Sequence, residues 1–131
     1  MWLFVLCAMI FLHIVADFQL QGFLRDMKQK QWWEDNYYEY MGPRGLCRYD
    51  YISALISHAY MWTFMVMLPI ALYYRLQVGY YEFFEAMAIN TALHAIIDHL
   101  KANCKKINLT VDQVLHICQI LATWMVLIPI E

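Results

Sequence analysis

Four apolar stretches, each close to the ~20 residues that cross a bilayer as a helix, take up most of this chain. They run from about Trp2 to Leu24, Tyr51 to Tyr74, Tyr80 to Leu100 and Val111 to Ile130. Inside hydrocarbon, backbone N–H and C=O groups must be satisfied without water, and a helix does this within one segment. Composition agrees: 63% of the 131 residues are hydrophobic and 15% are charged, against ~45–50% apolar in soluble domains. A soluble domain of this size could not cover that much apolar surface. The expected fold is all-α, one integral membrane domain over residues 1–131, built as a four-transmembrane-helix bundle. The opening MWLFVLCAMIFL has no basic leader and no small-residue cleavage site, so it is expected to stay as a span.

Ionisable groups interrupt these stretches at helical spacing. His13 and Asp17, His94 and Asp98, and Asp112 and His116 are i,i+4 pairs, so each pair shares a helix face. Such groups are costly in a membrane interior, face the bundle rather than lipid, and mark function by default. His13, Asp17 and Gln21 continue toward Leu24 and Lys28 on one side of the first span. Asn90, His94, Asp98 and Lys101 share an arc of the third, and Asp112, His116 and Gln119 an arc of the fourth.

Loop charges set the expected orientation. Arg25, Lys28, Lys30, Arg44 and Arg48 lie in the first loop and Lys101, Lys105 and Lys106 at the third, with Arg75 alone on the other side. The positive-inside rule then places these two loops in the cytoplasm and both termini outside. On that frame the three pairs and His58 fall within roughly 15 Å of the cytoplasmic end, at 1.5 Å per residue. The polar His/Asp interior is therefore expected near the cytoplasmic face. Cys47 and Cys104, in cytoplasmic loops, are expected as free thiols with a disulfide between them as the alternative, and Cys7 and Cys118 within spans are expected as free thiols. The net charge of −2 offers no basic footprint for nucleic acid.

The first loop, from Arg25 to Asp50, is rich in aromatics. Trp32, Trp33, Tyr37, Tyr38 and Tyr40 suit the membrane–water interface, where a short helix could lie. Gly42, Pro43 and Gly45 mark a turn, and a second tight turn is expected around Gln77–Gly79. Thr110 is placed to cap the fourth span, with Asp112 in its first turn. The MWTFMVML run of the second span is expected to pack or face lipid.

Imidazole and carboxylate together suit a divalent zinc, manganese or iron ion. Metal ligands are expected from His13, Asp17, His94, Asp98, Asp112 and His116, which exceed the needs of one tetrahedral ion and could hold two. His58 is a further ligand or a catalytic general base. Gln21 and Gln113 are expected to orient the ligands. Two ions would clamp a phosphoester and generate hydroxide at neutral pH. Lys28 and Lys101 stand at the mouth, where the phosphate of a phospholipid or lipid-linked substrate would arrive. A single His–Asp pair can equally be interhelical polar glue, in which case metal or a polar network staples the bundle and its surface binds a membrane partner. A through-channel is disfavoured, because beyond His13 the first span is wholly apolar.

HIVADFQLQ with Lys28, a central His58, then HAIIDHLK, then DQVLH resembles domain-of-unknown-function family 3307. These are small membrane proteins of bacteria and their phages. The shared positions are His13, Ala16, Asp17, Phe18, Leu20, Gln21, Lys28, His58, His94, Asp98, Lys101, Asp112, Gln113 and His116. The resemblance implies a multi-pass protein of the bacterial (host) inner membrane. The long aromatic first loop departs from the family pattern. A looser likeness, to predicted membrane-bound metal-dependent hydrolases, rests on the intramembrane His/Asp style and implies hydrolysis by analogy alone.

Overall fold

A computed structural model describes residues 2–42, 44–74 and 78–128. Pro43, Arg75, Gln77 and Ile130, which carried parts of the turn, charge and span readings, lie outside the described residues. Among the described residues all regular structure is helical. Helix α1 covers Trp2–Ile14 and runs into a π-helical turn, Val15–Gln19. Short helices α2, Leu24–Met27, and α3, Lys30–Asn36, occupy the first loop, followed by a 3-10 turn, Tyr38–Tyr40. The long helices α4, Asp50–Tyr73, α5, Tyr80–Ala102, and α6, Leu109–Leu127, complete the chain.

The four long segments close a ring: α1 packs on α4, α4 on α5, α5 on α6, and α6 on α1. Neighbours run antiparallel. Across α1 and α4, Asp17 faces His58 while His13 faces Trp62. Across α5 and α6, Lys101 meets Asp112 and Asn90 meets Thr123. Ala16 and Ala59, both fully buried, allow close backbone approach.

Trp2–Gln19, Asp50–Tyr73 and Leu109–Leu127 are long and apolar enough to cross a membrane. Helix α5 has the length, 23 residues, but includes Glu82, Glu85, Asp98 and Lys101 and does not meet both conditions. Among the described residues, three of the four expected spans therefore meet both conditions of length and composition.

The first span ends at Gln19 and not at Leu24. Gly22 takes a positive φ of 51°, a left-handed conformation cheap only for glycine, and turns the chain. Gln21 folds back to donate its side-chain amide to the Asp17 carbonyl. The expected stripe through Leu24 to Lys28 is therefore broken, and Lys28 comes back over the bundle end through α2. At α6 the cap is Asn108 and not Thr110: the Asn108 side chain accepts from the Val111 N–H at 2.9 Å. The first loop does contain helices. Buried Trp33 anchors it, donating its indole N–H to the Met27 carbonyl at 2.7 Å and packing edge-on against Trp32. All four cysteines are free.

Candidate metal centre

The i,i+4 pairs reach one place because three antiparallel helices and the π turn present them at one level. The π turn carries Asp17, α4 brings His58, α5 brings His94 and Asp98, and α6 brings Asp112 and His116. All are buried, and His58, His94, Asp112 and His116 have no exposed surface. Asp98 is the hub. Its Oδ2 lies 3.3 Å from His58 Nε2 and 3.8 Å from His94 Nε2, and its Oδ1 lies 3.6 Å from His116 Nε2. His58 Nε2 also stands 3.2 Å from His94 Nε2 and 3.6 Å from Asp17 Oδ1. His116 Nε2 lies 3.5 Å from Asp112 Oδ1.

These side chains form three overlapping groups able to hold an ion: Asp17, His58 and His94; His94, Asp98 and His116; and Asp17, Asp112 and His116. Adjacent groups share a residue, so the cluster is a closed ring. Ligands about 2.0–2.1 Å from a tetrahedral ion lie roughly 3.3 Å from one another, close to the 3.2–3.8 Å separations found here. Most of these separations exceed a good hydrogen bond. Accordingly Asp17 Oδ1, Asp112 Oδ1 and His116 Nε2 are buried without any hydrogen-bond partner, as are the Nδ1 atoms of His58, His94 and His116. A buried unsatisfied polar atom costs about 1–3 kcal/mol. Buried lone pairs left without a donor fit a metal ion.

The two lysines expected at the mouth are each bound to a carboxylate of the cluster. Lys28 Nζ, itself buried, pairs with Asp98 Oδ2, and Lys101 Nζ pairs with Asp112 Oδ2 at 2.6 Å. Asn103, just past α5, holds Lys28 in place. Its side-chain amide donates to the Lys28 carbonyl at 3.0 Å and its oxygen accepts from the Lys30 N–H at 2.7 Å. Gln113 Nε2 donates to Asp17 Oδ2 and to Asp112 Oδ2, each at 3.1 Å. Gln21, also expected to orient ligands, caps a backbone carbonyl instead.

His13 differs from its expectation as a ligand. Its Nδ1 accepts from the Trp62 indole N–H at 2.8 Å and its Nε2 lies 3.1 Å from Gln113 Oε1. With both nitrogens engaged, no lone pair is left for an ion, and His13 belongs to none of the three groups. Trp62 was missed at the sequence level. Fully buried, it stacks on His94 with ring centroids 4.2 Å apart and lies 5.4 Å from His116. One signal could have found it: it stands four residues after His58, on the same face. His99 is paired with Asn103 rather than with the cluster, and Glu82 is exposed.

A second polar group lies beyond Trp62. Gln119 donates to both the backbone and side-chain oxygens of Asn90 at 2.8 Å, and Thr123 donates to Asn90 Oδ1 at 2.9 Å. Its bonds are short and mostly satisfied, unlike those of the His/Asp ring. Compared with family models, curated proteins and solved structures, the chain matches none.

Proposed function

We propose that this protein is a membrane-embedded, metal-dependent hydrolase acting on a phospholipid or lipid-linked phosphate. The observation that carries this reading is the ring of buried His and Asp side chains with inward atoms left unpartnered. Asp17, His94, Asp98, Asp112 and His116 hold one or two ions, and His58 is a further ligand or the general base. An ion bound there would supply a Lewis acid and a hydroxide at neutral pH. Lys28 and Lys101, already at the carboxylates, exchange those contacts for the oxygens of an arriving phosphate. Helix α5 is the fourth span, its Asp98 and Lys101 tolerated because they pair inside the bundle. The basic first and third loops support a cytoplasmic site with both termini outside. The likeness to family 3307 supports a bacterial inner membrane.

Elemental analysis of protein purified in detergent tests the first step. Stoichiometric zinc, manganese or iron is expected, and its absence overturns the reading. Release of phosphate or headgroup from defined lipids, lost in Asp98→Asn, tests the second.

One observation favours a non-enzymatic reading. Lys28 and Lys101 already neutralise two carboxylates, so the polar layer can also staple the bundle. Under that reading Asp98→Asn lowers the thermal midpoint in detergent and the wild type turns over no lipid. Under the enzyme reading the wild type turns over lipid and the variant does not; the variant is destabilised here too, because buried Lys28 loses its partner, so turnover is what separates the two.

A further inference from the structure

Trp62, His13 and Gln113 come from α4, α1 and α6 and are joined end to end. The indole N–H of Trp62 donates to His13 Nδ1 at 2.8 Å. His13 Nε2 and Gln113 Oε1 are 3.1 Å apart. Gln113 Nε2 then donates to Asp17 Oδ2 and to Asp112 Oδ2, each at 3.1 Å.

The direction of this chain is forced by its first member. An indole nitrogen only donates, so His13 Nδ1 must carry the lone pair and Nε2 the proton. That proton requires the oxygen of Gln113 to face His13. The amide NH2, which has two hydrogens, is then turned to the two carboxylates and meets one oxygen of each. With the amide reversed, its oxygen would face two carboxylate oxygens and its NH2 would face an N–H. The oxygens not taken by Gln113, Asp17 Oδ1 and Asp112 Oδ1, are the ones buried with no partner. Those two aspartates form an ion-holding group with His116.

We infer that Trp62, His13 and Gln113 are a one-way hydrogen-bond relay that fixes the Asp17 and Asp112 carboxylates with one oxygen each turned toward the ion. In this arrangement His13 is a positioning residue and not a ligand. The inference rests on the metal reading above and adds which conspicuous residue does not touch the metal. It also explains why a tryptophan lies buried in the middle of a His/Asp layer.

The test is metal affinity, measured by chelator competition in detergent, together with the visible absorption of the cobalt(II)-loaded protein. Gln113→Ala and His13→Leu are expected to weaken binding by about 10- to 100-fold, the usual effect of losing a partner that orients ligands. Both should still reach the wild-type stoichiometry and cobalt spectrum when saturated. His13→Gln, which keeps an amide donor where Nε2 was, should recover most of the affinity that His13→Leu loses. Trp62→Phe keeps the ring and removes only the donor, and should weaken binding less than either. A His13→Leu protein with an altered cobalt spectrum or reduced stoichiometry at saturation would make His13 a ligand and overturn the inference. Unchanged affinity in Gln113→Ala, or equal losses in His13→Leu and His13→Gln, would overturn it as well. Those outcomes leave the metal reading standing, whereas wild-type protein that binds no ion sinks both.

Discussion

The two ends of the bundle are filled with different chemistry. At one end Val5, Met9, Val66, Met67, Ile70, Ile120 and Leu127 form an apolar core with little exposed surface. At the other, beneath the first and third loops, the same helices bury carboxylates and imidazoles, several lacking partners. The apolar core side chains need only close contact, and the Asn90, Gln119 and Thr123 group beside them is bonded mostly within itself. The polar end is complete only if something supplies positive charge and accepts lone pairs. The lysines do part of this and leave His116 Nε2 and two carboxylate oxygens unmet. Keeping the stabilising end separate from the unsatisfied end lets one fold tolerate the cost of the other.

The sharpest break of this contrast is at Lys28. Replacing it with Met keeps the stem and deletes the charge, leaving Asp98 buried without its lysine partner. The expected loss is about 3–5 kcal/mol of stability for metal-free protein, read by unfolding in detergent. Metal should restore much of it, because the ion replaces the missing charge. In the wild type, an ion at one hundred times its Kd should add about 2.7 kcal/mol, removable by chelator. Equal metal stabilisation of wild type and Lys28→Met would mean that the lysine and the ion do not share Asp98.

Ile70 probes the other end. Ile70→Ala opens a cavity in the apolar core and should cost about 2 kcal/mol. That is the low end for a buried Ile or Leu truncation, because in a membrane the lost methyls move between two apolar surroundings. Affinity for the ion per folded molecule should be unchanged, since distant sites without shared partners add independently. A weaker ion would show that the two ends are mechanically coupled.

Much of the site was legible because helical spacing is a property of the chain itself. Asp17, His94, Asp98, Asp112 and His116 stand at i,i+4 intervals in apolar sequence, and loop charges put them at one level with His58. What spacing does not carry is which atom of a side chain is already taken. His13 looked like its neighbours in sequence and differs only because Trp62 and Gln113 reach it across two other helices. The end of the first span was missed for a local reason: Gly22 takes a left-handed turn that hydrophobicity does not record. The lysines were placed at the right end but read as free. Their pairing follows from α2 and from Asn103, a contact between segments far apart in sequence.

The smallest expected effect concerns the start of α6. Asn108 and Thr110 both can cap a helix and stand two residues apart, and the sequence reading places the cap at Thr110. The structure has Asn108 accepting from the Val111 N–H, while the Asp112 N–H bonds the Asn108 carbonyl at 3.0 Å. Asn108→Ala should therefore cost about 1 kcal/mol, and Thr110→Ala, two residues past the cap, only a few tenths. The loss should not be spread evenly over the bundle. Fraying of the first turn loosens Asp112, which is held by Lys101 and Gln113, and through it the polar end. Hydrogen exchange in detergent should show faster opening in the first turns of α6 in Asn108→Ala, with the apolar half of the same helix, around Ile120 and Leu127, unaffected. Equal acceleration along the whole helix would mean that the two ends open together, and the contrast between them would then describe packing chemistry but not stability.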